Sequence, residues 1–283
     1  MKKLLMSTSV ILSLCLLGCT TSQNPPPSTV PSTIPSVIEL QSEAKLKTQT
    51  IEYKDGDTIL EGYLSYAEGV QGKRPGVLVV HEWTGLGDYA KKRADDLARL
   101  GYVAFAADIY GKGVRPTNPK DAGTEAGKYK SNRALMRSRV NAGFNILNTN
   151  EMTDQTKTAA MGYCFGGTTV LELARSGAPL NGFVSFHGGL DSPVPEDGKN
   201  IKGKVLILHG ADDPTISEKD MMAFQSEMKT NKVSWEMISY GGAVHAFTNP
   251  ASGNDNSKGS AYNENADKKS FVDMKEFFNE IFK

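Results

Sequence analysis

The sequence predicts an α/β fold: a mostly parallel, doubly wound sheet with helices on both faces and an antiparallel N-terminal edge. From about Thr48 onward, short apolar runs alternate with helical stretches, and such runs are typical of strands buried on both faces of a parallel sheet. The 283 residues, of which 39% are hydrophobic and 23% charged, suit a globular domain of this size. The 32 basic and 32 acidic residues balance, which gives no indication of a nucleic-acid partner.

The predicted elements follow one another in chain order. Two strands, Gln49–Tyr53 and Thr58–Leu64, flank Asp55-Gly56-Asp57 and are expected to form the antiparallel hairpin at the edge. The further strands are predicted over Gly76–Val80, Tyr102–Ala106, Thr158–Met161, Gly182–Phe186, Lys204–Leu208 and Val233–Ile238. Helices are predicted over Tyr89–Leu100, Asn132–Leu147, Thr168–Arg175, Ser217–Lys229 and Asp267–Phe282. This alternation favours a single domain over residues 48–283.

The segment before this domain is expected to be an export and anchoring region. Residues 1–18 combine a basic start with a short apolar run, as in a signal peptide, and Leu16-Leu17-Gly18-Cys19 resembles a bacterial lipobox. We therefore expect export, lipidation of Cys19 and attachment to a bacterial membrane, with an ordinary secretory signal as the alternative. Residues 19–47, rich in Pro, Ser and Thr, are interpreted as a tether.

Cys164 is the cysteine that remains within the predicted domain, and its surroundings suggest a nucleophile. Gly162-Tyr163-Cys164-Phe165-Gly166 fits the G-x-nucleophile-x-G pattern of a sharp turn from strand to helix. A helix N-terminus also favours a thiolate. The alternative is a buried cysteine in a glycine-rich turn.

Two later residues complete a possible catalytic triad in the order nucleophile, acid, histidine. His245 is the candidate base, and Asp213 is the candidate acid that would orient its imidazole. Asp212 competes for the acid role, although Asp213 lies at the expected end of the turn. All these residues follow predicted strands, and ligands of such sheets bind beyond the carboxyl ends of the strands.

These motifs together resemble the dienelactone hydrolase family, a branch of the α/β-hydrolase fold with a cysteine nucleophile. The matching stretches are His81–Leu86, Ala107–Gly111, Gly162–Gly167, His209–Pro214 and Gly242–Phe247. The resemblance implies triad roles for Cys164, Asp213 and His245. It also implies that Glu82 bonds the resting thiol and later helps to form the thiolate, and that the main-chain N–H groups of Phe165 and Trp83 form an oxyanion hole.

The chain departs from the family pattern where an arginine binds the substrate carboxylate. Lys112 lies nearest to that place and Arg115 is displaced, so either is a candidate substrate-binding residue, together with Tyr110 and Phe247. His81, His187 and His209 are interpreted as structural or rim residues, and neither a metal site nor a cofactor is predicted.

The leading functional prediction is a lipid-anchored hydrolase of small esters or lactones that acts through an acyl-thioester. One alternative is a binding lipoprotein with a catalytically silent hydrolase fold. The other is a thiol peptidase or acyltransferase, because fold and triad do not select the acyl donor.

Overall fold

The computed structural model describes residues 44–283, which contain one eight-stranded sheet. The strands lie in the order β1-β2-β4-β3-β5-β6-β7-β8. Their bounds are β1 Leu46–Asp55, β2 Thr58–Ala67, β3 Arg74–Val80, β4 Val103–Ala107, β5 Thr153–Tyr163, β6 Gly182–Phe186, β7 Lys204–Gly210 and β8 Trp235–Tyr240. The β1–β2 and β2–β4 pairs are antiparallel, and all other pairs are parallel. The predicted mostly parallel sheet with an antiparallel N-terminal edge is therefore confirmed.

Helices cover both faces of the sheet, as predicted. Their bounds are α1 Asp88–Arg99, α2 Pro119–Ser131, α3 Arg133–Thr149, α4 Phe165–Arg175, α5 Glu218–Thr230 and α6 Glu264–Ile281. Three short 3₁₀ helices span Pro195–Asn200, Pro250–Ser252 and Asn256–Lys258. The helices α1 and α6 pack against one apolar cluster of the sheet, and α2 to α5 pack against the other.

Helix α2 was not predicted from the sequence. Its start has clear local causes, because the Asn118 side chain accepts a hydrogen bond from the Asp121 N–H and Pro119 occupies the first helical position. Its buried residues are only Ala122, Ala126 and Tyr129. Two alanines and a tyrosine give a weak apolar periodicity, which explains why pattern analysis passes over this helix.

A buried ion-pair cluster joins α4 to α5. The Arg175 guanidinium is fully buried and donates to both carboxylate oxygens of Glu227, at 2.8 and 2.7 Å, and to Glu172 at 3.0 Å. Such a charge is tolerated inside a protein because its partners are held in bonding geometry.

The predicted signal (1–18), the lipidated Cys19 and most of the predicted tether (19–47) lie outside the described residues. Strand β1 begins at Leu46, slightly before the predicted start of the domain at Thr48. Within residues 44–283, no helix combines the length and apolar character needed to cross a membrane.

Candidate active site

Cys164 occupies the sharp turn between β5 and α4. Its φ of 54° and ψ of −115° lie in a backbone region that residues other than glycine rarely adopt. The flanking glycines are required by close approach: a Cβ at Gly162 would lie 2.2 Å from the Gly166 carbonyl oxygen, and a Cβ at Gly166 would lie 2.3 Å from that of Val80. The turn therefore presents the sulfur atom at the carboxyl edge of the sheet.

His245 and Asp213 lie in line with this sulfur. His245 Nε2 is 3.1 Å from Cys164 Sγ, and His245 Nδ1 is 2.9 Å from Asp213 Oδ2. The other Asp213 oxygen accepts hydrogen bonds from the Thr215 N–H at 2.8 Å and hydroxyl at 2.6 Å. Asp212 is exposed, so of the two competing carboxylates the structure brings Asp213 to the histidine.

Asp213 and Cys164 together stabilise the cationic form of the His245 imidazole. Burial by itself lowers the pKa of His245, but hydrogen bonds with Asp213 and Cys164 raise it to about 10. Burial also raises the pKa of Asp213, yet the hydrogen bonds from His245 and Thr215 outweigh it and lower that pKa below its ordinary value. An imidazolium beside a sulfur atom favours the thiolate form.

Glu82 lies in the same cavity, but it does not bond the thiol as the family resemblance implies. Its Oε2 accepts a hydrogen bond of 2.7 Å from Asn249 Nδ2, while Cys164 Sγ faces His245 instead. Burial raises the pKa of Glu82, although Asn249 and the nearby His245 and Arg93 oppose this effect. The carboxyl group is thus held beside the triad in a setting that favours its neutral form.

The two predicted oxyanion donors are the N–H groups of Phe165, at the start of α4, and of Trp83, in the loop after β3. Phe165 opens α4, so its N–H has no partner within the helix. The Glu82–Trp83 peptide is fixed from behind, because His81 Nδ1 lies 2.6 Å from the Glu82 carbonyl oxygen. Since the C=O and N–H of a trans peptide point in opposite directions, the Trp83 N–H points away from His81.

His81 has a fixed tautomer that sequence reasoning did not assign. Its Nε2 accepts from the Ile109 N–H at 3.2 Å, so Nδ1 carries the proton and donates to the Glu82 carbonyl. Burial lowers the pKa of His81 to about 4, which keeps the ring neutral near pH 7. His81 and Ile109 lie in two of the stretches that match the family, but those stretches gave no indication that the histidine holds a peptide of the Trp83 loop.

The four predicted substrate-binding residues do not line the cavity at Cys164. Lys112 pairs with Glu52 and lies 3.6 Å from Glu61 on the antiparallel edge of the sheet. Arg115 bonds main-chain carbonyl groups and lies 3.4 Å from Asp108. The structure therefore does not bring Lys112 or Arg115 to Cys164, because position along a loop does not fix the direction of a side chain.

Tyr110 and Phe247 are also structural residues. The Tyr110 hydroxyl donates to the Trp83 carbonyl at 3.0 Å, and its ring stacks on Tyr129, so it supports the Trp83 loop from beneath. Phe247 is completely buried and packs against Tyr240. Tyr110 therefore contributes to the site indirectly, because its hydrogen bond holds the peptide between Trp83 and Thr84.

Two cavities meet at the nucleophile. The larger has a volume of about 620 Å³ and also contains Glu82, Trp83, Phe165 and His245. The smaller, of about 270 Å³, shares Cys164, Phe165 and His245 and includes Asp191, Thr215 and Asp220. Lys130, at the end of α2, lines both cavities. Lys130 was not a candidate in the sequence analysis, because α2 itself was not predicted.

His187 supports the turn that holds the nucleophile. Its Nδ1 accepts a 3.1 Å hydrogen bond from the Cys164 N–H, and its Nε2 lies 2.7 Å from Thr248 Oγ1. Burial lowers the pKa of His187 well below its ordinary value, so the ring is neutral and fits this bonding pattern. The prediction that His187 is structural agrees with this position.

The segment that follows His245 is fastened to α1. The Thr248 carbonyl oxygen accepts hydrogen bonds from Arg93 at 2.9 Å and from the Tyr89 hydroxyl at 3.1 Å. Arg93 in turn pairs with Asp267 of α6. Across residues 44–283, no group of three or more His, Cys, Asp or Glu side chains has a geometry suited to a metal ion.

Comparison with known proteins gives a consistent result. The family model described as "Dienelactone hydrolase family" matches residues 60–282. A solved dienelactone hydrolase-like promiscuous phosphotriesterase from metagenomic libraries is 39% identical, with a TM-score of 0.80, and the alignment covers 84% of this chain and 99% of that one. The solved structure named m3DLH has the same identity and coverage, with a TM-score of 0.81.

A curated relative from Bradyrhizobium carries the name "Probable 2-oxo-3-(5-oxofuran-2-ylidene)propanoate lactonase". It is 29% identical over 216 residues, which cover 71% of this chain and 86% of the relative. The family model spans most of the described chain, and the structural neighbours share its sheet and its helices. The chain therefore belongs to the dienelactone hydrolase family, and this membership indicates a hydrolase that acts on lactones or esters.

Proposed function

We propose that this protein hydrolyses small carboxylic esters or lactones through a Cys164–His245–Asp213 triad and an acyl-thioester intermediate. The observation that carries the proposal is the continuous line from Cys164 Sγ through His245 to Asp213, with contacts of 3.1 and 2.9 Å, at the junction of two cavities. Nucleophile and base within hydrogen-bond reach, with the base oriented by a third group, is the arrangement needed for acyl transfer.

In the first half of the reaction, His245 Nε2 holds the proton of the Cys164 thiol while Sγ attacks the substrate carbonyl carbon. The developing oxyanion is stabilised by the main-chain N–H groups of Phe165 and Trp83. The C–O bond then breaks, and the imidazolium returns its proton to the departing alkoxide. In a lactone, this oxygen stays attached to the acyl group.

In the second half, His245 removes a proton from water, and the resulting hydroxide attacks the thioester carbonyl. The C–S bond breaks, the carboxylic acid leaves and the thiol is restored. Asp213 stabilises the imidazolium in both halves and keeps Nδ1 protonated. Glu82 lies in the cavity with Cys164, and we assign it a second route to the thiolate: when its bond to Asn249 breaks, its carboxylate accepts the thiol proton in place of His245.

The test is intact-mass spectrometry of the full chain with a panel of aryl esters, enol-lactones and one aryl phosphotriester, the last because of the phosphotriesterase relative. The wild type is expected to show turnover and a transient adduct with the mass of the acyl group. Cys164→Ala is expected to lose both. Unchanged turnover in the variant would contradict the mechanism, and an absence of turnover in the wild type would favour the catalytically silent binding protein.

We also propose that the protein is exported and anchored by lipid on Cys19, with residues 19–47 as the tether. The support for this proposal is the sequence pattern alone: a basic start, a short apolar run and the Leu-Leu-Gly-Cys ending. In a bacterial host, Cys19→Ser is expected to prevent labelling by a fatty-acid analogue and to release the protein from the membrane fraction. Labelling that persists in the variant would exclude Cys19 as the attachment site.

A further inference from the structure

Helix α2 contains two glycines that its own geometry does not require. Gly123 and Gly127 both lie inside the helix, and neither has a positive φ. A Cβ added at either position meets no protein atom within 4 Å. Glycine inside a helix is less stable than alanine because it loses more backbone entropy on folding. Neither backbone conformation nor packing within the chain therefore accounts for them.

Both glycines line the mouth of the larger cavity at the nucleophile, where they are exposed to solvent. Gly123, Ala126, Gly127 and Lys130 are spaced as one face of a helix, and all four line this cavity. Without side chains at positions 123 and 127, the cavity extends to the helix backbone. Its volume of about 620 Å³ falls in the range of pockets that enclose a small-molecule ligand.

The residues that line the larger cavity indicate which part of the substrate binds there. Trp83 and Phe165 lie close to Cys164, and Ala126, Ala246 and Ala251 add further apolar surface. The smaller cavity contains Asp191, Thr215 and Asp220 as well as apolar side chains, and polar groups form a larger share of its wall than in the larger cavity, so it is the better place for the departing alcohol or water. The larger cavity is therefore the place for the acyl side of the substrate.

We propose that Gly123 and Gly127 are specificity-determining residues, which keep room beside Cys164 for a bulky, apolar acyl group such as an aromatic one. The proposal rests on the hydrolase function proposed above. It explains why the chain retains two helix-weakening residues on the face that meets the active site. Both residues act by leaving space, and neither contributes a polar atom to the reaction.

The first experiment compares Gly123→Ala, Gly127→Ala and the double variant with the wild-type full-length protein. Each alanine is expected to raise the Tm by about 2–4 °C. The kcat/KM for p-nitrophenyl benzoate is expected to fall about tenfold or more, because one methyl group excludes part of the substrate. The kcat/KM for p-nitrophenyl acetate should stay within about twofold. Thr124→Ala, at an exposed position of the same helix that does not line the cavity, is the control and should leave the ratio of the two values unchanged.

The second experiment does not depend on hydrolysis. The rates at which iodoacetamide and N-benzyl iodoacetamide alkylate Cys164 are measured by mass spectrometry of the Cys164 peptide. The alanines should slow the benzyl reagent selectively. If the wild type is alkylated but hydrolyses no ester, the proposed function fails while this comparison still tests the glycines. The inference would be overturned if the alanine variants lower the Tm. It would also be overturned if they change the two alkylation rates by the same factor and the two kcat/KM values by the same factor.

Discussion

Replacing Asp213 with asparagine tests the electrostatic basis of the triad. Asparagine has nearly the same shape as aspartate, so Asp213→Asn removes the charge beside His245 with little change in packing. The amide can also direct an N–H toward Nδ1, which would leave the imidazole with its proton on Nε2, facing the sulfur. We therefore expect a fully folded protein with a poorly oriented and less basic histidine.

The size of the effect follows from the pKa of His245. The gap between the ordinary 6.5 and about 10 corresponds to about 5 kcal/mol in favour of the imidazolium. Two partners, Asp213 at 2.9 Å and Cys164 Sγ at 3.1 Å, overcome the opposing effect of burial. Because about 5 kcal/mol is the net value after burial is offset, the two partners together contribute more than this. An equal share for Asp213 is at least about 2–3 kcal/mol, so loss of its charge should lower the rate about 100-fold or more. The altered tautomer extends the expected loss to between about 10² and 10⁴-fold.

Two assays measure this loss, namely kcat/KM for p-nitrophenyl acetate and the rate of Cys164 alkylation by iodoacetamide between pH 6 and pH 10. In Asp213→Asn, both rates at neutral pH are expected to fall, and alkylation should require a higher pH. Asp212→Asn is the matched control, because Asp212 is exposed and its side chain lies away from the triad. Wild-type activity in Asp213→Asn, or a large loss in Asp212→Asn, would refute the reasoning.

Two further predictions concern stability. Because the folded pKa of His81 is about 4 rather than 6.5, the unfolded chain binds a proton that the folded chain excludes between these values. The free energy of unfolding should therefore decrease as pH falls from 6.5 toward 4, by about 3 kcal/mol for this residue. Urea unfolding at pH 7.5 and 4.5 should show a smaller decrease for His81→Gln, and an equal decrease would exclude His81 as a source. Arg175→Ala leaves Glu227 buried without its cation, while Glu172 keeps a hydrogen bond from Arg137, so urea unfolding at pH 7.5 should show a loss of about 3–5 kcal/mol. A loss below about 1 kcal/mol would mean that the Glu227 carboxylate finds other compensation.

The centre of the sheet could be predicted because its strands are buried on both faces and are therefore apolar along most of their length. Gly182–Phe186 has the same bounds in the prediction and in the structure. Strand β5 runs from Thr153 to Tyr163, longer than the predicted Thr158–Met161, because its first half is polar and carries no apolar signal. Helix α2 escaped prediction for the same reason, since few of its residues reach the core.

The site could be predicted only where chemistry is tied to the main chain. The turn at Cys164 needs glycines in fixed places, and Asp213 and His245 follow strand ends, so the fold itself brings them together. Substrate-binding side chains carry no such constraint. Lys112 follows Tyr110 closely in sequence, yet it pairs with Glu52 at the edge of the sheet. Its direction depends on neighbours that are distant along the chain.

One short segment carries two of the groups that handle protons in the proposed reaction. His245 contacts the sulfur, and Asn249 in the same segment binds the Glu82 carboxyl group. Between them, Thr248 is fastened to Tyr89 and Arg93. A substitution of Tyr89 or Arg93 that removes these hydrogen bonds would displace His245 and Asn249 together. The active site is therefore expected to fail as one unit, and damage to a helix remote from the sulfur would abolish activity as completely as damage to the sulfur itself.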